Sequence, residues 1–303
     1  MIIKKGKTSW VDLTHPHDKE LSALKKEFKL HPIIIEELRD TSARSKVELY
    51  GECMFIVYHM PIFDRIDRVS RKGEIDFLVT KNSVVSVHYE PLEPLTDIMD
   101  RLDSSANYKE RLLGGEPARL LYYILETALL HALRQLRHID EKIEDVRNNL
   151  FTSKEEELLE KISYVKRDLL SYSLILRSQE SIFKSLGKIG PTFFGEKTSI
   201  YFSDLEGDFL KVNQMCENYR QTIESFEHTN TQLMTIKMTK VMQRFSVLAF
   251  LTFPWMLFLT LFMLETADKP IIGKSPHDFW IMTAIVVIGI LVMTTIFRRK
   301  KWL

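Results

Sequence analysis

The chain has 303 residues, a formal net charge of +1 and 27% charged residues. A charge balance this even provides no polybasic stripe, which excludes nucleic acid as the natural partner. Its two cysteines, Cys53 and Cys216, stand far apart and outside any CxxC pairing. They predict buried thiols rather than a disulfide framework or a thiolate zinc site, as suits a reducing cytoplasm.

Residues 1–112 alternate strand and helix signals and predict a small α/β domain with a partly antiparallel sheet. Trp10, Val11 and Leu13 make a short strand. Asp18 opens a helix through Phe28, and His31 with Pro32 opens another that runs to Arg39. Runs at 46–50 and 53–60 flank Gly51 and Glu52 as one hairpin, and runs at 74–80 and 84–88 flank Asn82 and Ser83 as a second. No glycine-rich phosphate loop and no Ser-His-Asp spacing stands out, so no enzymatic chemistry is indicated. His15 and His17 would face one way on a strand and share a metal ion there, although Pro16 between them argues against it.

Residues 113–198 predict an antiparallel helical hairpin. Pro117 suits the first turn of a helix. Leu125, Leu129, Ala132, Leu136, Ile139, Ile143, Val146 and Leu150 then recur at four and three, and Leu158, Ile162, Val165, Leu169, Tyr172, Leu176 and Phe183 continue the spacing after a gap. Ser153 and Glu156 form a capping box in that gap, so the hairpin tip falls near 151–154. Gly187, Gly190, Pro191 and Gly195 form a breaker cluster that returns the chain to a third helix. Glu155, Glu156, Glu157 and Glu160 read as a solvated face.

Residues 199–264 read as one helix with two solvents. Leu205, Phe209, Val212, Cys216, Tyr219, Ile223, Phe226 and Leu233 mark a narrow packing seam, with Asn230 at its one polar position. From 245 to 264 no residue is charged, and twenty residues at 1.5 Å each match the roughly 30 Å hydrocarbon core of a bilayer. A polar connection at 265–278 leads to a second uncharged span at 279–297, and Arg298, Arg299, Lys300 and Lys301 open a basic tail at 298–303. Positive-inside bias puts that tail in the cytoplasm. Two spans return the chain to its starting side, and no apolar h-region follows the basic residues 1–7, so the large front part is expected in the cytoplasm as well. The expected location is the inner or plasma membrane.

This order of parts resembles the CorA family of divalent-cation transporters: an α/β domain, a helical hairpin, a long helix entering the first of two C-terminal spans, and a basic end. The likeness extends to WVDLT at 10–14, EFKLHP at 27–32, IIIEE at 33–37, KVE at 46–48, FIV at 55–57, TKN at 80–82, KKWL at 300–303, and to Met242 and Pro254. It implies an α+β fold assembled as a funnel-shaped homopentamer around a central pore, with a divalent cation as substrate and no organic cofactor. Family members end the first span in Gly-Met-Asn. Here the same place reads Met263, Leu264 and Glu265, which leaves the ion open among Mg²⁺, Co²⁺, Ni²⁺ and Zn²⁺.

Matching pore positions put Thr239 at the cytoplasmic end as a polar ring, with Met242 and Phe245 as an apolar constriction that gates by dewetting. Five copies of Glu265 form a carboxylate ring at the outer mouth, which attracts cations. Glu37 and Asp204 match the family's regulatory positions between cytoplasmic domains, where oxygen ligands and retained waters suit a hard cation. The alternative expectation is a membrane-anchored oligomeric scaffold or divalent-ion sensor that does not conduct.

Overall fold

The structure is a computed structural model and describes residues 2–4, 6–152, 154–263 and 276–300. It divides into two units, Met1–Glu227 and His228–Leu303.

In the first unit six strands form one sheet in the order β1-β2-β6-β5-β4-β3. They are β1 (Ile2–Lys4), β2 (Ser9–Thr14), β3 (Lys46–Tyr50), β4 (Cys53–Asp64), β5 (Val69–Val79) and β6 (Ser83–His88). Only β2 and β6 run parallel. The parallel pair is stitched from the side: the Trp10 indole N–H donates to Ser86 Oγ at 2.9 Å, and Ser86 in turn donates to Asp12.

Central strands are covered on both faces, which is why their sequence is a continuous apolar run rather than an alternation. Cys53, Phe55 and Val57 of β4 pack toward α1 (Asp18–Phe28) and α2 (Pro32–Glu37). Met54, Ile56, Tyr58 and Met60, one residue out of phase, pack into a larger core with the long helices. That core contains α3 (Glu93–Ser104), α4 (Ala106–Leu113), α5 (Pro117–Asn149), α6 (Glu155–Phe194) and the start of α7 (Ser199–Met263). Every α5 and α6 seam residue expected from the heptad spacing is buried. Inside this core Phe183 stacks on Phe209 at 5.0 Å and meets Tyr58 edge-on at 6.1 Å.

Several local features differ from the sequence-based expectation. The N-cap of α6 is Lys154, without a side-chain capping bond, and Ser153 of the expected capping box lies outside the described residues. Strand β1 and helices α3 and α4 add to the front domain. Strands β4 and β5 are longer than expected and join at 65–68 without glycine or asparagine; Asp64 caps that turn by accepting from the Ile66 and Asp67 amides at 2.8 and 3.2 Å. The breaker cluster does not break: α6 runs through Gly187, Gly190 and Pro191 and ends only at Gly195, where φ is 113°. A Cβ at Gly190 would overlap the Phe202 ring, so this glycine serves the close approach of α6 and α7. Finally, His15 lies past the end of β2 at φ 47° and His17 caps α1, so the two do not alternate on a strand.

In the second unit the described residues form the C-terminal part of α7, and α8 (Asp278–Arg299). Helix α7 is assigned as helix over all 65 residues, with Pro254 inside it. A Cβ on Gly289 of α8 would overlap the Trp255 ring of α7, so glycine there lets the two helices approach.

Candidate functional site

The site expected from the sequence falls in two places. In the second unit, α7 and α8 are each long and apolar enough to cross a membrane, and their apolar windows are only 6% buried. Thr239, Met242, Phe245 and Met263 are all exposed in the single chain. Thr239 returns its hydroxyl proton to the Thr235 carbonyl one turn back at 2.9 Å, leaving lone pairs free to face water or a hydrated ion. Val247 and Met282 are the buried apolar residues among those described here. An apolar surface this extensive is stable only against lipid or another protein surface. Leu264 and Glu265 lie outside the described residues.

The second place is in the first unit. Glu37 ends α2, and both of its oxygens lie 2.7–2.8 Å from the Lys46 ammonium on β3. Lys46 also reaches Glu48 at 2.9 Å, and the Tyr50 hydroxyl donates to Glu48 at 2.6 Å. Partial burial works against the Lys46 charge, but the hydrogen bonds and fields of Glu37 and Glu48 outweigh it and raise the ammonium above its ordinary range. Asp204, in the second turn of α7, accepts from the Tyr122 hydroxyl at 2.7 Å, and Tyr122 also touches Glu126 at 3.0 Å. Burial first, then the two carboxylates, push the Tyr122 phenol up. Glu37 and Asp204 share no partner within one chain, and among the described residues no cluster of three or more metal-ligating side chains exists.

Lys46 and Tyr122 were not foreseen as partners of the acids. Neither carries a local signal, because both pairings join residues from different elements. A further acidic pair was also missed. Glu74 and Asp76 alternate on β5 and so face α1 and α2 together. Glu74 accepts from the Ser42 amide at 2.7 Å and lies 3.0 Å from His59 Nε2. Asp76 is fully buried; Tyr89 donates to one of its oxygens at 3.0 Å, and the other has no partner. Burial and then the neighbouring Glu74 charge hold the Asp76 carboxyl well above the usual carboxylate range. The visible signal was the alternation of Glu74 and Asp76 with Ile75 and Phe77.

The family described as "CorA-like Mg2+ transporter protein" matches residues 5–299. The chain belongs to the CorA-like family. The cobalt/magnesium transport protein CorA of Thermotoga maritima is 22% identical, with 97% of this chain and 83% of that protein covered. CorA of Methanocaldococcus jannaschii, also described as a cobalt/magnesium transport protein, is 22% identical over 97% of this chain and 91% of its own length. The complete structure of the CorA magnesium transporter from Methanocaldococcus jannaschii superposes with a TM-score of 0.85 at 20% identity, covering 100% of this chain and 94% of that one. That likeness establishes the CorA fold: an N-terminal α/β sheet domain, a long helix and two apolar C-terminal helices.

Proposed function

We propose that this chain is a membrane channel or transporter for divalent cations that works as a homopentamer, with the C-terminal part of α7 lining the pore. The observation that carries the reading is the inversion along α7: its early turns bury Phe202, Leu205 and Phe209, while its later turns expose Met242, Phe245 and Phe253. One helix thus couples a packed α/β unit to a surface that needs lipid or copies of itself. The family and the cobalt/magnesium relatives favour Mg²⁺ and Co²⁺ over Ni²⁺ and Zn²⁺ as cargo. The basic residues Arg298, Arg299, Lys300 and Lys301 support a cytoplasmic position for both termini.

Where relatives carry a neutral amide at the end of the first span, this chain has Glu265. Mg²⁺ dehydrates reluctantly, so a ring at the mouth acts on it through its waters. A carboxylate ring accepts those hydrogen bonds more strongly and adds negative charge, which eases entry and weakens discrimination among divalent ions. In the assembly, Glu37 of one copy and Asp204 of the next hold a regulatory cation. Binding there competes with the Lys46 and Tyr122 contacts already made, so the site is weak.

Purified protein in liposomes containing a divalent-sensitive dye tests the reading. Influx of Mg²⁺ or Co²⁺ is expected, and Glu265→Gln should shift the preference between them. Protein that is folded and inserted yet gives no flux with any of the four ions would establish the scaffold or sensor instead.

A further inference from the structure

A cavity of about 450 Å³ lies in the first unit beside α5, and nothing in the transport proposal uses it. Its size falls in the range of small-molecule sites. One wall is α5 from His131 to Lys142; the opposite wall comes from the end of β4, the turn after it and the segment leading into α3.

The lining changes character along α5. At one end His131, Arg134 and Glu93 belong to a network that balances itself: His131 lies 3.3 Å from Glu93 and 3.5 Å from Arg134, and Arg134 lies 3.6 Å from Asp97. Burial pulls the His131 pKa below its ordinary value, so this end sets one cation against two carboxylates. An anion gains nothing there. The middle is apolar, formed by Met60, Ile62, Leu92 and Ile139.

The other end has one positive charge in surplus. Two cations, Arg65 and Lys142, stand against a single carboxylate, Asp168. Asp168 is already committed: one oxygen takes the Ser70 amide and hydroxyl at 2.8 and 2.7 Å, the other takes Lys142 at 2.9 Å. The Lys142 ammonium, 4.4 Å from the centre of the Phe63 ring, has three donors and spends one on Asp168. His138, also at this end, is paired with exposed Glu141 at 3.2 Å. Arg65, on the exposed turn between β4 and β5, makes no ion pair or hydrogen bond among the described residues. Arg134 and Lys142 are eight residues apart on α5, so roughly 12 Å separates the balanced end from the positive one.

We infer that this cavity binds an amphiphilic monoanion, a single carboxylate on an aliphatic body, with the carboxylate between Arg65 and Lys142 and the body along the apolar middle. One surplus positive charge matches one carboxylate, whereas a phosphate monoester carries nearly two negative charges at neutral pH. The guanidinium fork of Arg65 suits both oxygens of a carboxylate. Beyond the head the cavity has apolar walls and then a network that meets its own needs, so a second charged group on the ligand finds no partner.

The test uses the full chain in detergent and three probes: octanoate, acetate as the head alone, and octanol as the body alone. Partition into the micelle does not saturate and is common to all variants, so the saturable heat in a calorimetric titration reports the site. Saturable binding of octanoate is expected, at least tenfold tighter than either acetate or octanol. Arg65→Ala, on an exposed turn that keeps the fold, should weaken octanoate about tenfold, and Arg65→Lys should restore part of the loss. Phe63→Ala, at a position 36% exposed, opens the wall beside Lys142 and should weaken octanoate at least threefold. Absence of saturable octanoate binding, octanol as tight as octanoate, or binding that either alanine substitution leaves unchanged would each overturn the assignment.

Discussion

Phe183 and Phe253 are the same side chain in opposite situations. In the first unit Phe183 is 1% exposed, stacked on Phe209 and edge-on to Tyr58; in the second Phe253 is 68% exposed with leucines and methionines exposed around it. The first unit satisfies its apolar residues internally, as a water-soluble domain does. The second presents them outward, so its stability depends on what surrounds it. The burial pattern of one chain therefore separates a self-contained unit from one whose apolar surface needs lipid or another protein surface.

The comparison can be broken most directly at that pair. Phe183→Ala should cost about 3–5 kcal/mol in chemical denaturation of the first unit, the usual loss for a buried phenylalanine. Phe253→Ala should change the same transition by no more than about 0.5 kcal/mol, as surface positions do. Equal effects would mean that the second unit's surface is not open in the single chain. A smaller effect is expected from Gly289→Leu, which places a side chain where Trp255 packs. Overpacking of this kind costs about 1–3 kcal/mol, visible as a lowered detergent-solubilised thermal midpoint, with no shift in the first unit's transition.

The gentlest change sharpens the picture of the first unit. Asp76 has its folded pKa raised above the unfolded value near 3.9. The unfolded chain therefore releases this proton first as pH rises, and the group's contribution to stability falls once pH passes about 4. Asp76→Asn should consequently stabilise the protein at pH 7 by on the order of 1 kcal/mol. The gain should fade as pH drops below about 4. A destabilised Asp76→Asn protein at pH 7 would mean that the carboxylate is held ionised by a partner.

Much of the architecture was legible because long helices repeat themselves. The seam from Leu125 to Leu150 announces α5, and uncharged stretches of about twenty residues announce a bilayer. Features set by contacts between distant residues were not legible. Pro191 and Gly190 read locally as breakers, but the Phe202 ring from the next helix gives Gly190 a packing role. The β4–β5 turn hid because Asp64 supplies its capping bonds and Arg68 adopts φ 53° without glycine. Helix α3 carried a readable stripe in Leu95, Ile98, Met99 and Leu102, overshadowed by the stronger strand signals before it. As for the site, Glu37 and Asp204 are visible as acids, whereas their engagement by Lys46 and Tyr122 exists only in three dimensions.

The two thiols have a practical use. Burial pushes Cys53 up to about 11 and Cys216 up to about 12, so neither offers an appreciable thiolate to an alkylating reagent at neutral pH while the protein is folded. The natural chain is thus already a quiet background for labelling chemistry. A single cysteine introduced anywhere along the exposed face of α7 would carry a spin label or fluorophore alone, and distances between such labels on different copies would report directly how many chains gather and around what.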